Sequence, residues 1–334
     1  MEKRKIIFLT EGSSSMGFGH VTRCLALSQA FLENGFQSLF YVHGDDSIRS
    51  VLGHVEHRVF NWLNGIGDIK FDLYGAIIIL DTFSISEELL GELSTISKIT
   101  ILDDLIRREH HSRLIIDWTI NAEKKFYLNK NLSSTYLLGH EYISLRRPFW
   151  DRKSFIVNAK IKNVLIMFGS GDIRNLCART ACLIREIDGC IRKTIIIGGA
   201  STSRSVVESL ADPMTKIIVD ANDEQVFSLM KNADLAIASG GQTLYELACV
   251  GVPTISVMLI DNQLDDINGW SEVGFTYHAG QWDDVDLDIK ILNRFTELRE
   301  PRTRFERSLI GQSLVDGQGA RRIVKNILRE NYDC

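Results

Sequence analysis

Two glycine-rich turns and a histidine hold most of the chemistry that the sequence offers. In Glu11-Gly-Ser-Ser-Ser-Met-Gly-Phe-Gly-His20 an apolar run at 6–9, short enough for a buried strand, leads into a polar turn, and a helical pattern at 21–34 follows. Gly17, Phe18 and Gly19 close that turn. Glycine lets backbone N–H groups come close to a ligand, and a helix N-terminus favours anionic groups. Into the turn the chain places His20, whose ordinary pKa suits proton transfer near neutrality. The pattern points to an enzyme acting on a phosphorylated or nucleotide-linked substrate, with His20 as its catalytic base.

The second turn lies in Ala238-Ser-Gly-Gly-Gln-Thr-Leu-Tyr-Glu246. Ser239, Gly240, Gly241, Gln242 and Thr243 stand where a strand gives way to a helix, and N–H groups there can hold a diphosphate without a metal. Glu246, one turn into the helix, can accept hydrogen bonds from two vicinal ribose hydroxyls. Taken alone, a Gly-Gly pair is accounted for by a helix start with a favourable glutamate; the matching turn at His20 shifts the reading to ligand binding. Asn262 and Gln263 follow the next strand and carry donors and acceptors suited to an amide- and hydroxyl-bearing sugar, or to ordinary turn chemistry. Asp81 and Asp103-Asp104 end strands, where bonding to loop amides competes with catalysis. Gly169-Ser-Gly-Asp172 either touches phosphate or turns the chain. His110, His111 and His140 lack ligand-like spacing with any cysteine or carboxylate cluster, so no metal site is expected.

The elements that must position these residues alternate in type. In the first half, strands are expected at 6–9, 37–42, 76–80, 99–102 and 114–117, with helices at 21–34, 48–51 and 87–93. A second series starts at 163–168 and continues with strands at 193–197, 217–219, 235–238 and 254–258 and helices at 175–187, 224–231 and 243–250. Alternation of this kind is the signature of parallel sheets wrapped by helices. The fold class is therefore α/β with two Rossmann-like, doubly wound domains, 1–150 carrying the histidine loop and 151–334 carrying the second turn and a terminal helix. The basic, aromatic stretch at 146–153 marks the boundary. Ligands of open α/β sheets sit beyond the carboxyl ends of the strands, so a cleft between two such domains is the expected site. At 320–328, Arg321, Arg322 and Lys325 are expected to form a solvated helix face.

Composition narrows the class. The 334 residues are 45% hydrophobic and 24% charged, which suits an ordinary globular chain with an ample core. A formal charge of -5 argues against a nucleic-acid partner. Six cysteines without a C-x-x-C pair suggest reduced thiols in a cytoplasmic protein. No export signal or membrane-spanning stretch is expected, and no stable membrane association.

Gly17-Phe-Gly-His-Val-Thr-Arg-Cys-Leu25 fits the motif G-x-G-H-x-x-R-C-L. Asp103-Asp-Leu105, Leu138-Gly-His-Glu-Tyr142 with Leu145-Arg-Arg-Pro-Phe149, the run from Ala233 to Glu246, Asn262-Gln263 and Asp316-Gly-Gln-Gly-Ala320 fit further blocks. Through most of its length the chain thus resembles the pseudaminic-acid-pathway hydrolases that cleave a UDP-linked 2,4-diacetamido-2,4,6-trideoxy sugar, and their spore-coat polysaccharide relatives. That family is similar to two-domain glycosyltransferases of the GT-B class. The resemblance implies a GT-B-like fold, UDP held by the C-terminal domain, and no cofactor. It implies diphosphate at Gly240 and Gly241, ribose at Glu246, uracil at the backbone of 219–222, and sugar or diphosphate near Asn262 and Gln263. It also implies hydrolysis with His20 as the catalytic base, and water attacking opposite the leaving UDP would invert the anomeric centre. Three departures stand out: Phe83 where the family has tyrosine near the sugar, Glu11 where aspartate is common, and Ser170 interrupting a Gly-Gly pair. The alternatives are a transferase that passes the sugar to an acceptor, a UDP-sugar-binding protein without turnover, and a nicotinamide-dependent oxidoreductase. The last is disfavoured because Gly17-x-Gly19 lacks a third glycine at the required offset.

Overall fold

The computed structural model describes residues 5–104, 112–125, 134–152, 154–169, 171–199 and 201–332. Residues 1–4, Leu105, His110, His111, Lys153, Ser170 and Cys334 fall outside them. The chain divides into two compact units. The first runs up to Arg147 and resumes at Gln318; the second is Pro148–Gly317.

The first unit is built on seven strands: β1 (Ile6–Gly12), β2 (Ser38–Gly44), β3 (Glu56–Val59), β4 (Ile77–Asp81), β5 (Ile99–Leu102), β6 (Leu114–Asp117) and β7 (Thr135–Leu138). All neighbours pair in parallel, in the order β3-β2-β1-β4-β5-β6-β7. The order reverses between β1 and β4, whose carboxyl ends carry Glu11 and Asp81. That reversal is where ligands bind in open parallel sheets. β1 and β4 are buried along their whole length, as central parallel strands covered on both faces must be.

The second unit repeats the plan with β8 (Asn163–Met167), β9 (Arg192–Ile197), β10 (Thr215–Val219), β11 (Leu235–Ser239), β12 (Thr254–Met258) and β13 (Thr276–Gln281). The order is β10-β9-β8-β11-β12-β13, again parallel, with the reversal between β8 and β11. Val164, Ile166, Ile195, Ile237 and Ile255 from the sheet share one core with Ile184, Ile291 and Phe295 from the covering helices. The Asp234 carboxylate accepts hydrogen bonds from Lys162 N, Asn163 N and Asn158 Nδ2, which fixes the start of β8 beside β11.

Three strands have no counterpart in the sequence reading: β3, β7 and β13. Each is an edge strand of its sheet and carries partly exposed positions, so its apolar signal is weak. The terminal helix, Gly319–Tyr332, also differs from expectation, because it belongs to the first unit rather than the second. Its Ala320, Ile323, Val324 and Ile327 are completely buried, and it packs on helix Gly19–Glu33. Lys325 is exposed and Arg321 and Arg322 are partly so; Arg321 also holds both oxygens of Glu33 at 2.7 Å, while Arg322 donates to the Glu141 carbonyl.

The carboxyl ends of β1 and β2 meet backbone to backbone. A Cβ added to Gly44 would lie 1.8 Å from the Gly12 carbonyl oxygen. Gly44→Ala is therefore expected to destabilise the protein by about 1–3 kcal/mol through overpacking. Gly91→Ala, at an exposed site within helix Glu87–Ile96 with nothing within 4 Å of the new Cβ, is expected to stabilise it by about 0.5–1 kcal/mol. Urea denaturation of the two variants should show shifts of opposite sign.

Candidate active site

The turn after β1 is closed by its own backbone. Ser13 N donates to Gly17 O at 3.3 Å and Gly17 N to Ser13 O at 2.8 Å. Met16 N donates to Ser13 Oγ, and Ser14 donates to Asp45 from the next strand's loop. Most amides of 13–17 are thus spent on holding the turn. Its work is to launch the helix, which starts at Gly19, two residues earlier than the periodicity suggested. His20 consequently lies inside the first helical turn rather than ahead of it. Phe18 is the N-cap residue, and its carbonyl accepts from Thr22 N at 2.8 Å.

From that position His20 reaches the end of β4. Its Nδ1 is 2.7 Å from Asp81 Oδ1, and only 14% of its side chain is exposed. Arg23, three residues on and so on the same helix face, donates from Nε to Asp81 Oδ2 at 2.6 Å and from Nη2 to Asp81 Oδ1 at 2.5 Å. Its Nη1 donates to Asp104 Oδ2 at 2.5 Å, and its guanidinium lies 5.1 Å from the centre of the Trp118 ring. Asp81 has no exposed surface. Burial alone would raise its pKa, but Arg23 and His20 outweigh burial and hold the carboxyl far below the usual carboxylate range. Arg23 Nη2 also lies 3.0 Å from His20 Nδ1. Ionised Asp81 can only accept, so its shorter 2.7 Å contact requires the proton on His20 Nδ1, donated to the carboxylate, and Arg23 Nη2 spends its own proton on Asp81 Oδ1 rather than on the ring. Nε2 is then left with its lone pair, the form a general base needs.

Phe83 packs edge-on against the imidazole, with centroids 4.1 Å apart and planes at 84°. Its backbone N–H donates to Glu11 Oε1 at 2.6 Å, so Glu11 fixes the loop that carries the ring. The expected residues Gly17, Phe18, Gly19, His20 and Phe83 therefore gather at the β1/β4 reversal. Arg23 was missed by sequence reasoning, although a basic residue one helical turn after the histidine, with a strand-end acid available to both, is a signal that could have found it.

The acids along this sheet edge are not alike. Asp117, at the end of β6, is 2% exposed, and burial pushes its pKa up to about 7. The Thr119 hydroxyl and N–H oppose that rise, and the nearby charges of Asp104 and Asp103 add to it.

In the second unit, Ser239 and Gly240 are buried at the end of β11. Gly241 has φ +95°, open to glycine but strained for other residues, and serves as N-cap of helix Gln242–Val250. No side chain caps this helix, and its first turn, which includes Thr243, holds no acid. The loop after β8 is the opposite case. The Asp172 carboxylate accepts from Leu176 N at 2.9 Å and Cys177 N at 3.3 Å, occupying the N-terminus of helix Leu176–Ile187. Gln263 braces the Gly240 turn: its Oε1 accepts from Leu259 N at 2.9 Å and its Nε2 donates to Gly240 O at 3.2 Å. Asn262, in the short turn Asp261–Gln263, is exposed, whereas Glu246 is 4% exposed.

No family model matches the chain. It is 26% identical over 278 residues to an uncharacterized protein of Methanocaldococcus jannaschii, an alignment that takes in 78% of this chain but 56% of that protein. The chain thus spans about half the length of this relative. It is 24% identical to the spore coat polysaccharide biosynthesis protein SpsG of Bacillus subtilis, with 97% of each chain covered. It is also 24% identical to the UDP-2,4-diacetamido-2,4,6-trideoxy-beta-L-altropyranose hydrolase of Campylobacter jejuni, over 78% of this chain and 93% of that protein. Among solved structures, Acinetobacter baumannii MurG matches with a TM-score of 0.59 at 15% identity, covering 98% of this chain and 100% of that one. An S. aureus MnaA structure with UDP matches with a TM-score of 0.68 at 11% identity, covering 98% and 97%. These likenesses give the fold, two Rossmann-like domains of the GT-B type.

A buried carboxyl that titrates near neutrality leaves a signature. Asp117 holds its proton in the folded state up to about pH 7, whereas an unfolded aspartate loses it near pH ~3.9. Its contribution to stability is present at low pH and lost as pH rises from the unfolded to the folded value. Asp117→Asn keeps an acceptor for the Thr119 N–H and removes the titration. Between those limits, wild-type stability should lose up to about 1.4 kcal/mol per pH unit relative to the variant. Denaturation series at several pH values measure that difference in slope.

Proposed function

We propose that this chain is an enzyme that cleaves a UDP-linked 2,4-diacetamido-2,4,6-trideoxy sugar at its anomeric carbon, with water as acceptor and His20 as general base. One observation carries the chemical part: the His20 Nδ1 hydrogen bond to buried, ionised Asp81, which leaves Nε2 as a lone-pair acceptor. The hydrolase name of the Campylobacter relative and the UDP in the MnaA structure support the substrate class. The uncapped, acid-free start of helix Gln242–Val250 supports a diphosphate at Gly240 and Gly241. Glu246 and the backbone of 219–222 are assigned to the ribose and uracil. Asn262 is assigned to the sugar, and Gln263 acts through its brace on Gly240.

In this mechanism His20 Nε2 takes a proton from a water molecule as the water oxygen attacks the anomeric carbon. The bond from that carbon to the UDP oxygen breaks on the opposite face, so the product has inverted configuration. Asp81 stabilises the imidazolium that forms, as the carboxylate does in hydrolase triads. Arg23 keeps Asp81 ionised, and the amides at Gly240 and Gly241 receive the charge that develops on the departing diphosphate.

His20→Asn is expected to slow UDP release by about 10²–10⁴-fold, the range for a general base, while UDP affinity stays unchanged. A loss smaller than about tenfold would remove His20 from the role. The same assay run without any acceptor separates hydrolysis from transfer. Turnover of UDP-sugar in water alone supports the hydrolase, and release that begins only when an acceptor alcohol is added replaces it with a transferase.

A further inference from the structure

We infer that Arg174 is a further diphosphate-binding residue of the second unit, placed over the carboxyl edge of its sheet by a strained loop and an indole platform. The inference rests on the proposed UDP-sugar chemistry and extends it to a residue that neither turn motif contains.

Arg174 is exposed and lies in the loop that leaves β8, the strand at which the sheet order reverses. Two non-glycine residues with left-handed backbone bracket it, Asp172 at φ +41° and Asn175 at φ +55°. Such conformations cost roughly 1–3 kcal/mol each and persist where surrounding structure enforces them. Here the Asp172 carboxylate enforces the turn through its bonds to Leu176 N and Cys177 N. The bracketed pair, Ile173 and Arg174, is held outward: Ile173 is 61% exposed.

The guanidinium does not float free of the sheet. It stacks on Trp282 with its carbon 3.9 Å from the ring centre. Trp282 follows β13, and its backbone N–H donates to Met258 O at 2.9 Å, which fixes it at the end of β12. From there a short chain of contacts leads to the glycine turn. Leu259, the next residue after Met258, donates to Gln263 Oε1, and Gln263 Nε2 donates to Gly240 O. Arg174 therefore leaves from β8 and meets a residue held at the ends of β12 and β13, on the same carboxyl edge of the sheet as Ser239 and Gly240.

Charge favours an anion at that edge. Among the described residues Arg174 makes no ion pair, although acidic Asp283 follows Trp282 in sequence. Its neighbour Arg179 is committed to Asp288, and Lys290 to Asp284 and Asp286. The helix N-terminus at Leu176 is already filled by Asp172, while the one at Gly241 carries no cap. A diphosphate on the Gly241 amides and a guanidinium on the same sheet edge complement each other, and stacking on an aromatic ring pre-organises the guanidinium for an anion.

Calorimetric titration of the full chain with UDP and with uridine tests this. Arg174→Ala is expected to weaken UDP about tenfold, as loss of one ionic hydrogen bond does, and to leave uridine within about twofold. Arg174→Lys should recover part of the loss, and the gap between wild type and the alanine variant should narrow at high salt. If the variant binds UDP as wild type does, Arg174 has no part in the site and the UDP reading still stands. An equal loss for UDP and uridine also overturns the proposal, since the arginine would then not act on phosphate. Wild-type protein that binds neither ligand brings down the UDP reading together with this one.

Discussion

A carboxylate without solvent, Asp81, governs the architecture of the first unit. A buried charge of this kind is tolerable only when paired and hydrogen-bonded. Arg23 meets it side-on through two donors and His20 supplies a third. Both partners come from one face of helix Gly19–Glu33, so the helix must dock with that face on the end of β4. The docking in turn requires the strand ends beneath to be thin. Gly12 supplies that, since a Cβ there would sit 2.9 Å from Val21 Cγ2. Backbone contact, helix placement and imidazole orientation follow from the demand of a single ionised group.

The same sheet edge shows how one cation sorts several acids. Asp81 and Asp104 both touch Arg23 directly. Asp117 has the Thr119 N–H on one oxygen and negative neighbours. Burial acts on Asp81 and Asp117 alike, so the guanidinium decides which of them stays charged. The imidazole is thereby given a permanently ionised partner, and the acid two strands away stays protonated up to about neutrality. A fixed charge behind Nδ1 and a neutral group farther along suit the general-base role proposed for His20.

The parallel interior of each sheet was legible because buried strands such as β1, β4, β11 and β12 are nearly continuous apolar runs between turn residues. The edge strands were not, since β3 alternates exposed and half-buried positions and β13 contains Gly280 and a bulge opposite Ser256/Val257. The two glycine turns could be found from residue type alone. What Gln263 does could not, because its amide faces backbone groups that only the fold brings near. Nor could the pairing of Arg23 with Asp81, which spans 58 positions and depends on a crossover that sequence periodicity does not reveal. The terminal helix illustrates the same limit: its pattern was plain, but the unit it serves was decided by the apolar face of helix Gly19–Glu33 and by the grip of Arg321 on Glu33.

That helix also sets an order of events during synthesis. The first unit leaves the ribosome early, yet the element that covers helix Gly19–Glu33 is encoded beyond the whole of 148–317. The second unit is one uninterrupted segment with its ends adjacent, since Gly317 packs directly on the Phe149 carbonyl. The later-made half can therefore close its core while the earlier-made half still waits with an apolar face uncovered. The connectivity thus lets an insert be completed inside a host that still lacks its last helix, the reverse of the usual amino-to-carboxyl progression.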